Sequence, residues 1–439
     1  MNLGAAIEEA GVVGAGGAGF PTHVKVRAKV DVVIANFAEC EPLVSSDSAV
    51  VSHDPERFLA GLELVRRAVG AERAAVALKR KERKGALPLE ELRAKGEGGP
   101  SIHYLEDVYP AGDEHLLVEE VTGRAVPQAG IPPDVSVLVN NVTTLWRVAL
   151  ANEGKPFTER FVTVAGEVRS PATLLAPVGT PVRVLLEACG GAKKEGVSVI
   201  VGGPMMGEVL GDLSQPVRKT TSAVLVLPEG SALVRRKKMP VSVGVRRAMA
   251  ACMQCMDCTL LCPRYLLGHE LSPHKAMRSV AFWIAQSEAE ISSAVLCSEC
   301  GLCGLFACTM ELSPVQVYRR IREEFLRRGH APAVRKMPRV PRPERSGRRV
   351  PTQRLMARLG IAEYDVALPV KSALLEVPEV RIPLREKWGR LRAIVRPGEK
   401  VGKGAVVAEP ALRDRGARAH AGISGVVKSV ERDWVCIEA

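Results

Sequence analysis

Residues 252–263 read CMQCMDCTLLCP and residues 297–308 read CSECGLCGLFAC. Together they hold eight of the 11 cysteines in the chain. In the first run, Cys252, Cys255, Cys258 and Cys262 follow the spacing C-x-x-C-x-x-C-x-x-x-C, and Pro263 closes it. Three thiolates at that spacing wrap one corner of an iron–sulfur cubane, while a fourth, carried past a turn that proline enforces, points toward a second cluster. Cys297, Cys300, Cys303 and Cys308 repeat the pattern with the last gap one residue longer and Thr309 in place of the proline. Zinc is the competing explanation, but its ligands usually come as two C-x-x-C pairs a dozen or more residues apart. An odd number of cysteines, eight of them in one stretch, also fits a disulfide framework poorly. The expectation is two 4Fe–4S clusters with crossed ligands. Cys252, Cys255, Cys258 and Cys308 would hold one; Cys297, Cys300, Cys303 and Cys262 would hold the other.

Outward from these runs the chain divides by composition. Helical periodicity over Lys275 to Glu288 and Pro314 to Arg328 predicts a helix-decorated cluster domain at 245–328. Upstream, FVTVAGEV, TPVRVLLEACGG and VSVIVGGPMMG read as strand, helix and strand, a small α+β module within 156–235. The first 155 residues alternate β-branched runs such as VDVVIANF (30–37) and VSVLVNNV (135–142) with helical stretches such as Pro55 to Val69, which predicts an α/β layer on a largely parallel sheet. Downstream, Arg319 to Arg349 carries twelve Arg or Lys against three Glu, and the surroundings are rich in proline. Residues 329–370 therefore read as a basic linker or a docking strip for an acidic partner. The tail, 371–439, has short β runs separated by turn signals and reads as a small all-β unit.

A net charge of +12 over 439 residues invites a nucleic-acid partner, yet only 4% of residues are aromatic, thin for stacking single-stranded bases. The excess is concentrated beside the cysteines, so no nucleic-acid partner is expected. No apolar run approaches the ~18 residues a spanning helix needs, so no direct membrane insertion is expected. The start, MNLGAAIEEAGVVGAGGAGF, has no basic segment before an apolar one, and a cytoplasmic location is the default expectation.

Residues 14–19, GAGGAG, allow backbone N–H groups to approach a phosphate or a flat ring, and Lys25 could add charge there. The loop lacks the Gly-Lys-Ser/Thr ending of a Walker motif. Taken with ANFAECEPLVSSD (35–47), YPAGDEHLL (109–117) and VNNVTTL (139–145), it resembles the flavoprotein of respiratory complex I that binds FMN and NADH, and more closely the peripheral NADH-oxidising subunit of the Rnf electron-transport complex. The full arrangement, with GVVGAGGAGFPTHVK, GGPMMG, both cysteine runs and LLGHELSPH, is similar to the cobalamin reductases of propanediol-utilisation microcompartments over nearly the whole chain.

That resemblance implies a multi-domain α/β and α+β protein. An FMN and NADH domain would span 1–155 and a soluble-ligand-binding β-grasp module 156–235. A two-cluster ferredoxin-type domain and a C-terminal barrel-sandwich hybrid would follow. It also implies site residues: Gly14, Gly16 and Lys25 at the FMN phosphate; Asn36, Glu39, Cys40 and Glu41 along the ribityl chain and ring; Tyr109, Gly112, Asp113 and Glu114 on another side; Asn140, Asn141 and Thr144 completing the phosphate and ribityl contacts. Glu41 and Glu114 are the implied catalytic acids, orienting a nicotinamide ribose. Ala15, Ala38 and His23 depart from the complex I flavoprotein, which has arginine, aspartate and glycine there, and these changes bear on NADH more than on FMN. The hairpin tip Arg418-Ala419-His420-Ala421 has no lysine for lipoylation or biotinylation.

The expected chemistry is electron transfer from NADH through FMN and two 4Fe–4S clusters to a corrinoid or a partner redox protein. The alternative is the peripheral NADH-oxidising subunit of an Rnf-type membrane complex; in that relative the barrel-sandwich unit precedes the flavin domain, whereas here it comes last. Shell or adenosyltransferase proteins of a microcompartment are further implied partners, with residence inside a bacterial microcompartment.

Overall fold

The computed structural model describes residues 2–82, 87–94, 99–282, 291–329, 340–411 and 416–439. The expected helix end at 283–288 and part of the basic strip, 330–339, lie outside the described residues.

Strands Val32–Phe37, Arg73–Lys79, Ser101–Leu105 and Val137–Asn141 form an all-parallel sheet, with Val32–Phe37 between Arg73–Lys79 and Val137–Asn141. Their near-continuous apolar runs are what a parallel sheet covered by helices requires. Helix Pro55–Val69 starts where the Asp54 side chain accepts from the Arg57 N–H and ends at Gly70, with φ 73°. It lies against helix Val142–Asn152, and Gly61 sets the distance: a Cβ there would come within 1.9 Å of the Leu145 carbonyl oxygen. The carboxyl ends of Val32–Phe37 and of its edge neighbour Val137–Asn141 bring Asn36, Asn140 and Asn141 together at one end of the sheet, where open α/β folds place their ligands.

The next module is a mixed six-stranded sheet around Glu159–Gly166, Ala172–Pro177, Val197–Val201 and Ala223–Pro228, with helix Val182–Ala188 packed on it. Val370–Leu374 joins its edge parallel to Ala172–Pro177, so the chain returns to this sheet before entering the tail. In the cysteine-bearing domain, helices Val241–Ala251, Pro273–Phe282 and Pro314–Arg327 enclose Ala248, Met277, Ala281, Leu312 and Val317, with Cys252 and Cys308 at the rim of that core. The tail pairs two four-stranded antiparallel sheets around Val380, Ile382, Val407, Val427 and Ile437.

The stretch expected as a linker is built into the fold from residue 342 onward. Val350–Pro351 pairs with Val108–Tyr109, and helix Thr352–Leu359 buries Leu355, Met356 and Leu359 in a core shared with Leu43, Tyr109, Leu233 and Leu305. The basic residues nearby are largely neutralised. Buried Arg345 forms ion pairs with Glu119 and Glu120 at 2.6 Å each, Arg349 pairs with Glu106 and Glu120, and Arg319 and Arg322 both pair with Glu299. Arg345 and Arg349 look solvated in sequence because their partners lie more than 200 positions upstream.

Candidate functional site

The glycine loop is closed on itself. Gly14 N–H donates to the Phe20 carbonyl at 2.8 Å and Gly19 N–H to the Gly14 carbonyl at 3.0 Å. Gly17 and Gly19 hold φ of 107° and 69°, which only glycine adopts without strain. The loop is pinned across the strand ends: Ala15 N–H donates to Thr144 Oγ1 at 2.9 Å, and a Cβ on Gly16 would stand 3.2–3.3 Å from the Asn141 side chain. Asn141 caps helix Val142–Asn152 and donates to Asp47 at 2.6 Å. Lys25 Nζ sits between the Val139 carbonyl at 3.1 Å and Glu114 at 3.4 Å.

A second group gathers at the end of Val32–Phe37. Asn36 Nδ2 donates to the Gly112 carbonyl at 2.9 Å, and a Cβ on Gly112 would meet Asn36 Oδ1 and Cys40 Sγ at 3.2 Å. Burial pushes the Cys40 thiol up to about 11, so it is neutral. Glu39 accepts from the N–H groups of Asp47 and Ser48 and from the Ser48 hydroxyl; burial, then the neighbouring Asp47, pushes its carboxyl up to about 8.

Three expected site residues turn elsewhere. Both Glu41 oxygens accept backbone N–H groups of the β-grasp loop, Met205 at 2.9 Å and Met206 at 2.8 Å. Gly203 is needed beside them, since a Cβ there would lie 2.1 Å from Glu41 Oε2. Glu41 thus ties two modules together. Tyr109 donates its hydroxyl to the Cys300 carbonyl at 2.7 Å. Asp113 caps helix Glu114–Thr122 and forms an ion pair with Arg264 at 3.0 Å. Burial would raise its carboxyl pKa, but the guanidinium outweighs it and the net shift is downward.

The groups around the loop fit a phosphorylated flavin. Asn140 Nδ2 is buried with no hydrogen-bond partner, an amide donor held ready for a ligand acceptor. Arg160, reaching in from the β-grasp strand Glu159–Gly166, is fully buried and donates only to carbonyl oxygens, those of Ala15, Phe161 and Lys219. Lys219 is buried too and donates to the Gly11 and Arg418 carbonyls at 2.7 Å. Burial lowers their pKa values to about 10 and about 8, against the opposing attraction of Asp47 for Arg160 and of Glu386 for Lys219. A phosphate at the loop would add a further anion beside Arg160. Asp47, Arg160, Lys219 and Arg264 escaped the sequence reading: Asp47 lay within a quoted motif, whereas the cations come from other modules and carry no local signal.

The cysteines fall into the crossed sets. One small cavity is lined by Cys262 together with Cys297, Cys300 and Cys303. Cys258 is pushed up to about 12 by burial and then by Cys308, Cys255 and Cys252, its neighbours in the other set. Thiols so placed resist ionising alone; bound iron would supply the compensating charge. The backbone between the cysteines winds the same way in both runs, with Gln254 and Met256 at φ 57° and 66° and Glu299 and Gly301 at φ 59° and 81°. Backbone N–H groups of Glu299 and Leu312 already point at Cys297 and Cys308 sulfurs at 3.3 Å. Among the described residues no three Cys, His, Asp or Glu side chains stand close enough to share a single ion. A cubane spreads its ligands over four irons, so its thiolates stand wider apart than those of one zinc.

The tail closes over the glycine loop. Trp388 donates its indole N–H to the Ala18 carbonyl at 2.8 Å and meets Phe20 edge to face, centroids 5.0 Å apart. The hairpin tip at Arg418 to His420 packs on Gly11, where a Cβ would come within 2.2 Å of the Arg418 carbonyl. That tip is docked and not free to swing.

A parallel-sheet domain with a glycine loop at its strand ends, joined through a β-grasp module to two crossed sets of four cysteines, defines a flavin and iron–sulfur oxidoreductase. Comparison with known proteins agrees. The Nuo51 FMN-binding domain family matches residues 7–150, the SLBB domain family residues 161–209, and the 4Fe-4S dicluster domain family residues 251–313. Cobalamin reductase PduS of Salmonella typhimurium is 38% identical over 434 residues, 98% of this chain and 95% of that protein. The chain belongs to the cobalamin reductase PduS family. A component of the proton-translocating ferredoxin:NAD(+) oxidoreductase complex of Clostridium ljungdahlii is 35% identical over 61% of this chain and 56% of its own length. An NAD+-reducing [NiFe]-hydrogenase in the H2-reduced state shares the fold over 75% of this chain and 62% of that one, at TM-score 0.50 and 22% identity. No helix among the described residues is long and apolar enough to cross a membrane.

Proposed function

We propose that this enzyme takes a hydride from NADH onto FMN at the glycine loop and passes electrons singly through two 4Fe–4S clusters to a corrinoid or a partner redox protein. FMN supplies the step from a two-electron donor to one-electron carriers. The observation that carries the reading is the tie between the two halves: Tyr109 and Asp113, on the loop that also holds Gly112, bind the Cys300 carbonyl and Arg264, two residues from Cys262.

In this reading Gly14, Gly16, Asn140, Asn141 and Thr144 hold the phosphate and ribityl chain, with Lys25 and Arg160 supplying positive charge. Asn36, Cys40 and Gly112 face the ring, and Glu39 fixes the strand-to-helix turn beneath it. Glu114, half-exposed beside Lys25, accepts from the ribose hydroxyls of the nicotinamide donor in this reading. Glu41 acts as a positioning residue through its bonds to Met205 and Met206, a change from the catalytic role expected of it. The Rnf-type alternative is disfavoured by length: the match to that relative covers little more than half of either chain, whereas the cobalamin reductase match is nearly end to end.

The test is cofactor analysis followed by anaerobic stopped-flow with NADH. Bound FMN that is bleached by NADH supports the reading; bound FMN untouched by NADH removes the donor. Glu114→Gln should raise KM for NADH about tenfold with FMN content unchanged, the loss of one charged hydrogen bond.

A further inference from the structure

The two cysteine sets differ in where they stand, and we propose that this fixes the direction of electron flow: the set Cys262, Cys297, Cys300 and Cys303 receives electrons from the flavin side, and the set Cys252, Cys255, Cys258 and Cys308 delivers them, across a methionine-ringed face, to a small acidic electron-carrier protein. The inference rests on the reading above and adds an order and an exit to it.

The receiving set is the more enclosed of the two. Cys262 and Cys303 are each 8% exposed, Cys297 and Cys300 are half-buried beside them, and Leu271 and Tyr318 close the cavity that the four line. Its links run to the flavin domain through Tyr109 on the Cys300 carbonyl and Asp113 on Arg264. The delivering set opens outward. Cys255 is exposed, Met253 and Met256 on either side of it are 70% and 38% exposed, and Met249 before Cys252 and Met310 after Cys308 are 50% and 36% exposed. Four exposed methionines from two separate segments, gathered at one set of ligands, are more than chance placement of apolar residues on a surface. Methionine suits a face that must fit a partner briefly and release it, since its unbranched side chain repacks at low cost.

The charge around this face selects the partner. Arg246, Arg247 and Arg278, on the two helices that pack beneath Cys252, are exposed, whereas Asp257 and Glu311 beside the cysteines are half-buried. A basic rim around an apolar centre complements a carrier with carboxylates around its own cluster, and such pairing speeds encounter. A free corrinoid has no need of a rim of this kind.

Two measurements test the proposal. In the first, flavin is reduced photochemically, which bypasses NADH, and the clusters are followed by EPR. Cys255→Ser should leave a reducible cluster in the inner set; Cys300→Ser should leave the outer cluster oxidised while flavin is still reduced. The reverse pattern overturns the order, whereas normal photoreduction with no response to NADH overturns only the donor assignment. In the second, the probes are an oxidised bacterial two-cluster ferredoxin and hydroxocobalamin. Arg246→Glu with Arg247→Glu should weaken ferredoxin binding about tenfold at low salt, with the difference fading at about 0.5 M salt. FMN and iron content, and hydroxocobalamin reduction, should not change. Equal ferredoxin binding by wild type and variant, or a parallel fall with hydroxocobalamin, overturns the protein exit.

Discussion

The two cysteine runs have nearly the same spacing and opposite surroundings. Both wind through left-handed residues between their first three cysteines. Yet Cys255 of the first run is exposed, whereas Cys303 of the second is buried and shares a cavity with Leu271 and Tyr318, and the flavin domain's Tyr109 binds the Cys300 carbonyl. Spacing sets how four sulfurs can face one cluster. Tertiary partners decide which sulfurs are enclosed and which are open. A repeated motif therefore gives a repeated ligand geometry without a repeated role.

The largest effect bearing on this contrast is at the cysteines. Cys303→Ala and Cys255→Ala should each cost about four irons. The first should also lower the melting temperature markedly, because it empties an enclosed cavity, while the second leaves a stable, FMN-loaded protein. Equal melting temperatures would erase the distinction. Next in size are the ion pairs that hold the inner set to the flavin domain. Asp113→Asn leaves Arg264 buried beside Cys262 without its partner and should cost about 3 kcal/mol in denaturant unfolding, as should Arg345→Gln, whereas exposed Arg320→Gln should cost less than about 0.5 kcal/mol.

A pH effect follows from the buried pair His115 and His269, whose rings lie 5.3 Å apart. Burial, reinforced by Arg264, lowers their pKa values to about 3 and about 4. The unfolded chain takes up these protons below about pH 6.5 and the folded chain does not, so the stability is fully present above that pH and is lost as pH falls toward about 4. The loss should be on the order of 2 kcal/mol, and His269→Gln should flatten the slope in a pH series of urea melts. Smallest is Tyr109→Phe, which removes one hydrogen bond to the Cys300 carbonyl and should cost about 1 kcal/mol. It should slow transfer from flavin to the inner cluster without touching flavin reduction.

Much of this was legible in sequence because the signals are local. Spacing marked the two cysteine runs, alternation predicted the parallel sheet, and Pro55 to Val69 stands as a helix over that span. The eight cysteines and the Gly14, Gly16, Asn36, Asn140 and Asn141 group lay in contiguous motifs. What stayed hidden depends on distant partners. Arg345 reads as a solvated charge until Glu119 and Glu120 are brought to it, and helix Thr352–Leu359 hides behind proline and arginine with only three apolar residues to bury. Glu41 reads as a catalytic acid until the GGPMMG loop of the next module arrives on both its oxygens. Arg160, Lys219 and Trp388 reach the glycine loop from two other modules, and no window of sequence around that loop contains them.

An anaerobic titration of the purified chain with NADH, followed by flavin absorbance and cluster EPR together, tests the whole electron path at once. About one FMN and about eight irons per chain are expected, with NADH bleaching the flavin and both clusters accepting electrons from it. A fully loaded protein whose clusters are reduced by dithionite but whose flavin and clusters ignore NADH would contradict that path.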